Sequence, residues 1–300
     1  MRRKVLILVN PEAGGGRALR AEPRVAAYLK GLGVQADFAR PAGVHAFEQS
    51  AKEGAAAGYD CIAALGGDGT FQHLVRGTLG ANVSLGYLPS GGGNDVAAAL
   101  EIPADPVAAA HTLVTGVPRA VDILRVRCAG GATGLYVGGG GLGLDAEAAR
   151  LASGRFRAWP GAARYIAAAL ISLAHFKPPR VEVRLDGGPP AASGPVLLAA
   201  VVSTPIYGAG VRIAPAAQVD DGMLDVALVA PLAWTRILEL IPALLSTGDV
   251  RVPEIQRFRA RRVELRADRA SPFHGDGELL GTTPLEIECL HKAIRVIVNH

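Results

Sequence analysis

Short runs of consecutive apolar residues alternate with stretches of helical periodicity over the first 122 residues of this 300-residue chain. Val5-Leu6-Ile7-Leu8-Val9, Cys61-Ile62-Ala63-Ala64-Leu65 and Ser84-Leu85-Gly86-Tyr87-Leu88 carry almost no polar position. A strand covered on both faces reads this way, because neither face meets water. Each run stops at a glycine-rich turn. Helical patterns follow, up to about Lys30, from Phe71 to Leu79, and up to Leu100. Strands alternating with helices predict a mostly parallel sheet. Right-handed crossovers then place every strand-to-helix loop at one sheet edge. Ligands of open α/β sheets bind beyond that edge.

After Asp122 the pattern changes. Residues 123–127 and 181–185 alternate apolar and polar, as half-buried strands do, and the second run ends at Asp186-Gly187-Gly188. Residues 195–203 and 223–230 read as buried strands. Residues 162–175 read as a helix, and residues 232–245 keep helical spacing despite Pro242. The expected fold is an α/β domain over residues 1–122 with a mostly parallel sheet. A mostly antiparallel β-sandwich follows over residues 123–300. Its last strand, residues 293–298, is free to return to either domain.

Composition narrows the function classes. Half the residues are hydrophobic, enough for a sizeable core. Cys61, Cys128 and Cys289 are too few and too dispersed for a disulfide framework or a zinc site, which fits a reducing cytoplasm. The apolar run after Met1-Arg2-Arg3-Lys4 ends at Asn10-Pro11, so it reads as a first strand rather than a signal peptide. No apolar run reaches the length of a bilayer span. The net charge is +4. A basic stretch, Arg251 to Arg269, could dock on an anionic membrane, but Val263, Leu265 and Ala267 alternate with charged residues as on a solvated strand edge. Nucleic-acid binding has little support, because aromatics are sparse and do not interleave with the basic residues.

The turns carry the candidate chemistry. Asn10-Pro11-Glu12-Ala13-Gly14-Gly15-Gly16-Arg17, Gly66-Gly67-Asp68-Gly69-Thr70 and Pro89-Ser90-Gly91-Gly92-Gly93-Asn94-Asp95 each join a strand to a helix. Backbone N–H groups of such turns, with the helix N-terminus, suit a phosphate. Asp68 conflicts with simple anion binding: a carboxylate repels phosphate unless a cation or a transferable proton lies between. That conflict points to catalysis, although an Asp-Gly turn is common in any fold.

These three loops resemble the catalytic domain shared by diacylglycerol, sphingosine and ceramide kinases. The resemblance continues through Tyr207-Gly208-Ala209-Gly210, Ala214-Pro215 and Asp220-Asp221-Gly222-Met223-Leu224-Asp225 to Asp276-Gly277-Glu278, and so covers nearly the whole chain in order. It implies an NAD-kinase-like α/β nucleotide-binding domain joined to a β-sandwich. It further implies ATP as donor, magnesium, and a lipid hydroxyl as acceptor. Asn10, Gly66, Gly67, Gly69, Thr70, Gly92 and Asn94 would hold the nucleotide, with Arg17 neutralising phosphate charge. Asp68 would hold magnesium through water or take the acceptor proton, and Glu278 is the other candidate base. Asp221, with backbone carbonyls near Gln218 and Met223, resembles the family's structural magnesium site, and magnesium favours such oxygen ligands.

The chain departs from the family at two positions. Gly92 stands where a threonine usually meets the nucleotide, and Arg40-Pro41 stands where a second threonine falls. Arg40 could replace that hydroxyl with charge. A kinase of another small molecule such as NAD, or a binding relative without turnover, are the alternatives. Gly138, Gly140 and Gly143 fit a dinucleotide fingerprint, but no second strand ending in an acid follows, so they read as a strand end built for close backbone approach. Phe156, Trp159, Tyr165, Ile166, Leu170 and Leu173 read as ordinary packing or as a lipid anchor. The expected partners are a lipid substrate and, transiently, the inner membrane surface of the cytoplasm. A homodimer is compatible with this reading.

Overall fold

The computed structural model describes residues 3–144, 172, 176–208 and 210–299. The helix expected over residues 162–175 and the lipid-anchor residues Phe156 to Leu173 lie outside the described residues. The chain forms two units, Met1–Asp122 with Lys292–His300, and Ile123–His291.

The first unit is α/β. Its elements are β1 (Lys4–Val9), α1 (Arg17–Gly31), β2 (Gln35–Ala39), α2 (Val44–Ala56), β3 (Cys61–Gly66), α3 (Asp68–Thr78), β4 (Ser84–Pro89), α4 (Asp95–Ala99) and α5 (Pro106–Thr115). The sheet order is β2-β1-β3-β4, and every pair is parallel. The two central strands are those with unbroken apolar runs: every residue of β3 is buried, as are Val5 to Val9 of β1. At the edge, β2 has no buried residue. Helices α1 and α5 pack together, as do α2 and α3. Gly77 of α3 permits the second pairing, because a Cβ there would lie 2.4 Å from the Glu48 carbonyl oxygen.

The second unit is mostly antiparallel. It holds the second half of β5 (Val117–Cys128), then β6 (Thr133–Tyr136), β7 (Gly139–Gly143), β8 (Arg180–Leu185), β9 (Pro190–Pro195), β10 (Leu198–Val202) and β11 (Leu224–Val229). After α6 (Trp234–Ser246) come β12 (Ile255–Ala260), β13 (Arg262–Ala267), β14 (Pro272–Gly275), β15 (Glu278–Thr282) and β16 (Leu285–Val298). One sheet runs β12-β11-β10-β7-β14-β15. In the other, β13 pairs with both β8 and the start of β16, and β8 pairs with β9. Side chains of both sheets, among them Tyr136, Leu142, Val201, Val263 and Phe273, form one buried core. This is sandwich packing. Strand β16 is longer than the tail expected from periodicity. Its first part pairs with β13, and its last part lies in the α/β unit, where Val296 pairs in parallel with Leu85 of β4.

The glycine run of β7 is a packing device. A Cβ on Gly140 would stand 2.7 Å from the Phe273 ring, and one on Gly139 would stand 2.5 Å from the Tyr207 ring. The run pairs antiparallel with β10 and β14, so it is not the strand-to-helix turn of a dinucleotide site. Helix α6 covers the outer face of its sheet through Leu240 and Ile237. It leaves Trp234, Leu238, Ile241 and Leu245 exposed, which lie on one helical stripe. No described helix is long and apolar enough to cross a membrane.

Candidate functional site

In the α/β unit the three glycine-rich loops meet. Gly14 approaches Ser90 so closely that a Cβ would lie 2.0 Å from the Ser90 carbonyl oxygen, and the φ of +61° at Gly14 favours glycine in any case. A Cβ on Gly91 would lie 2.5 Å from the Gly67 Cα. The first loop thus touches the third, and the second touches the third. Hydrogen bonds complete the join. The Asn10 side-chain amide donates to the Thr70 hydroxyl at 2.9 Å, the Asn10 N–H to the Leu65 carbonyl at 3.1 Å, and the Ser90 N–H to the Gly66 carbonyl at 2.6 Å.

Asp68 opens α3, where the helix dipole favours a negative charge. Its carboxylate faces a second helix start as well. Oδ2 accepts from the Asp95 N–H at 3.1 Å, and Oδ1 accepts from the Val96 N–H at 3.2 Å and the Tyr87 hydroxyl at 3.1 Å. Burial pushes the Asp68 pKa above its ordinary value, and these donors to the charged form pull against that rise. Tyr87 is fully buried and stacks on Phe71 with ring centroids 4.7 Å apart. Asn94 sits at φ +61° and accepts from the Gly91 N–H at 2.9 Å, which closes the third loop on itself.

Arg17 is a clip. Its guanidinium donates to the Gly14 carbonyl at 3.1 Å and to the Gly91 carbonyl, joining the first and third loops. Beside it opens a cavity of about 490 Å³, lined by Arg17, Arg20 and Arg24 of α1 and by Gly91, Gly92 and Asn94 of the third loop. Gly92 and Gly93 are exposed, and nothing lies within 4 Å of a Cβ placed on Gly92. Three guanidinium groups with bare backbone make this cavity suited to a polyanion. Arg40 has a different partner: it makes a two-pronged pair with Glu22 of α1 at 2.8 and 2.9 Å. Glu22 is buried, so its charge requires that partner.

In the second unit, Glu278 opens β15 and is half-buried. The residues before it set its position. Asp276 and Gly277 both have positive φ, 48° and 86°, the signature of a two-residue hairpin turn between β14 and β15. The Asp276 carboxylate accepts three backbone N–H groups, from Val137 at 2.6 Å, Gly138 at 2.9 Å and Gly139 at 3.2 Å. The glycine run therefore anchors the turn that presents Glu278.

The residues expected to hold magnesium, Asp221 with backbone carbonyls near Gln218 and Met223, lie at the turn before β11. Asp221 accepts from the Met223 N–H at 3.0 Å and ion-pairs with Arg259, while Gln218 is exposed. Among the described residues no group of three or more His, Cys, Asp and Glu could hold a metal ion.

Sequence reasoning found the loops but missed Tyr87, Arg20 and Arg24 as parts of their surroundings, and in the second unit it missed the anchoring of Asp276 by Val137, Gly138 and Gly139. Tyr87 was hidden in an apolar strand run. Asp276 was readable as a turn residue and as a member of the Asp276-Gly277-Glu278 motif, but its role as an acceptor was not, because its three donors come from residues far away in the chain.

Comparisons with known proteins agree with this geometry. Residues 4–126 match the diacylglycerol kinase catalytic domain, and residues 140–298 match the YegS C-terminal NAD kinase beta sandwich-like domain. A diacylglycerol kinase of Mycobacterium tuberculosis is 29% identical over 98% of this chain and 94% of its own length. A protein of Pseudomonas putida named "Probable lipid kinase YegS-like" is 30% identical over 81% of this chain and 79% of its own. The crystal structure of a diacylglycerol kinase from Bacillus anthracis superposes with a TM-score of 0.71 at 20% identity, covering 99% of this chain and 97% of that one. With both halves matched in order and the loops assembled as described, the chain belongs to the family of diacylglycerol kinases and YegS-like lipid kinases.

Proposed function

We propose that the protein transfers the γ-phosphoryl group of ATP, presented as its magnesium complex, to the hydroxyl of a diacylglycerol-like or sphingoid lipid. The observation that carries this reading is the meeting of three glycine-rich loops beside an arginine-walled cavity, in a chain of this family. Phosphoryl transfer depends on positioning and on charge neutralisation more than on covalent help from the protein. The exposed backbone of Gly92 and Gly93 leaves room for phosphate oxygens to approach the third loop. Arg17, Arg20 and Arg24 supply positive charge on the α1 side. Magnesium carried in with the nucleotide would neutralise charge between the phosphates.

The transfer breaks the bond between the β–γ bridging oxygen and the γ-phosphorus and forms one from the lipid oxygen to that phosphorus. ADP leaves, and the hydroxyl proton must go to a base. Asp68 and Glu278 are the two candidates. A carboxylate of ordinary pKa, about 4, is a weak base towards an alcohol, so the proton leaves late, as the new bond forms. The donors at Asp68 hold its carboxylate in one orientation for either role, proton acceptor or organiser of the water around magnesium.

The acceptor resides in a bilayer, so turnover requires transient contact with the cytoplasmic membrane surface. The exposed stripe Trp234, Leu238, Ile241 and Leu245 has the spacing of an interfacial helix, with tryptophan at one end. Vesicle sedimentation of the Trp234→Ser, Leu238→Ser double variant tests that contact.

The deciding experiment is transfer of labelled γ-phosphate to a panel of lipids in mixed micelles, with and without magnesium, beside Asp68→Asn. The expected result is one labelled lipid class that requires both magnesium and Asp68. Folded protein that labels no lipid, or an Asp68→Asn variant of near-normal turnover, would overturn the reading.

A further inference from the structure

The turn between Asp220 and Met223 in the second unit is where the sequence resembles a structural magnesium site. The structure places an arginine there. Arg259 lies on β12 directly opposite Asp225 of β11, so the two side chains share one face of the sheet. From that position the Arg259 guanidinium reaches two carboxylates. Its Nη2 pairs with Asp221 Oδ2, and its Nε lies 3.5 Å from Asp225 Oδ1. The other Asp221 oxygen, Oδ1, already accepts from the Met223 N–H at 3.0 Å.

We infer that Arg259 is the resident cation of this turn, and that the second unit holds the Asp221 turn in shape without a divalent metal. Three observations support this. Both Asp221 oxygens are engaged, and a guanidinium N–H on a lone pair competes with a metal for it. Magnesium demands near-octahedral oxygen ligands at about 2.0–2.1 Å, whereas here Asp221 is already paired at both oxygens and Asp225 at Oδ1. The turn is also closed by packing. Gly222 sits at φ +75°, and a Cβ there would lie 2.9 Å from Nδ1 of His291, so the imidazole fills the space beside it. A planar, permanently charged guanidinium can bridge two carboxylates from a single strand position. The inference is independent of the kinase reading, since it concerns the stability of the second unit.

Thermal unfolding of the full chain without nucleotide, in excess magnesium and in excess EDTA, tests it on four proteins. Wild-type protein should melt at the same temperature in both. Arg259→Ala should melt lower in EDTA and regain part of the loss in magnesium, because the vacated carboxylates then accept the metal. Asp221→Asn should melt lower in both, with no recovery. Arg259→Lys keeps a charge and should fall between wild type and Arg259→Ala. A magnesium-dependent rise in the wild type that disappears in Asp221→Asn would overturn the inference. A rise that persists in Asp221→Asn places the metal elsewhere and leaves it standing. Should the variants fail to fold, equilibrium dialysis of wild-type protein with magnesium decides the matter. One tightly held ion per chain whose removal lowers the melting temperature refutes the resident arginine, and no such ion supports it.

Discussion

Replacing Gly14 and Gly15 one at a time by alanine separates backbone strain from contact between the loops. Both glycines are left-handed, with φ of +61° and +66°. An alanine at either position costs about 1–2 kcal/mol for that conformation. Their surroundings differ. A Cβ on Gly15 meets nothing within 4 Å, whereas one on Gly14 would lie 2.0 Å from the Ser90 carbonyl oxygen and 2.5 Å from Arg17 Nε. The arginine can swing away, but the Ser90 carbonyl is backbone, and Ser90 is hydrogen-bonded to Gly66. Gly14→Ala must therefore push the first loop off the third, at a further cost of about 1–3 kcal/mol, the range for overpacking. The cavity beside Arg17 should open with it. Chemical denaturation and ATP binding by calorimetry would be measured on both variants. Gly15→Ala should lose a little stability and keep most of its ATP affinity. Gly14→Ala should lose more stability and about tenfold or more in affinity, since about 1.4 kcal/mol corresponds to a factor of ten. Equal effects of the two substitutions would refute the meeting of the loops at Gly14 and Ser90.

Three further predictions follow from the same geometry. Gly92→Thr has open space for its side chain and no left-handed φ, so stability should hold within about 0.5 kcal/mol; the restored hydroxyl should tighten ATP by about one hydrogen bond, roughly 0.5–1.5 kcal/mol, and an unchanged Kd would show that the third loop does not reach the nucleotide there. Asp276→Asn keeps the shape and tolerates φ +48°, but one amide oxygen cannot replace a carboxylate taking three N–H groups; urea unfolding should show a loss of about 2–3 kcal/mol, and a loss below half a kilocalorie would mean that the anchor is dispensable. Asp68 has its pKa raised in the folded protein, so its ionised form is complete only at higher pH than for an ordinary carboxylate. The acid limb of kcat/KM should accordingly lie above the usual value of about 4 and vanish with the activity in Asp68→Asn, whereas an acid limb at or below that value would remove Asp68 as the group that must ionise.

Elements that bury both faces were legible in the chain, and elements at edges were not. The runs at Val5 and Cys61 became the central strands β1 and β3, because an unbroken apolar run has few other places to go. The edge strand β2, Gln35-Ala36-Asp37-Phe38-Ala39, carries no such run, and only the family resemblance placed a strand before Arg40. Helix α5 left a signal that was overlooked: Asp105 caps it by accepting from Val107 and Ala108, and Pro106 opens its first turn. At the site, the three loops were readable because glycine, asparagine and aspartate mark turns locally. Their mutual contacts were inferred from crossover handedness, and the close approach of Gly14 to Ser90 and of Gly67 to Gly91 is the form they take. The partners of arginines were beyond reach. Arg40 turns to Glu22, 18 positions away, and Arg259 turns to Asp221, 38 positions away. A long flexible side chain chooses among all the acids that the fold brings near, and no local pattern records that choice.

Strand β16 also orders events in time. The segment Lys292–His300 belongs to the same unit as residues 1–122, and Val296 supplies the parallel neighbour of Leu85 on β4. A ribosome that has made residues 1–291 has therefore made every other strand of the α/β sheet, with the flank of β4 still uncovered. The nascent first unit must wait through the synthesis of about 170 residues, roughly 10–30 s at ordinary elongation rates, before the covering strand emerges. Throughout that interval an apolar strand edge is available to any extended segment that passes. Chaperone dependence during synthesis should accordingly rest on β4, and a chain cut before Lys292 should aggregate even though its glycine-rich loops are all present.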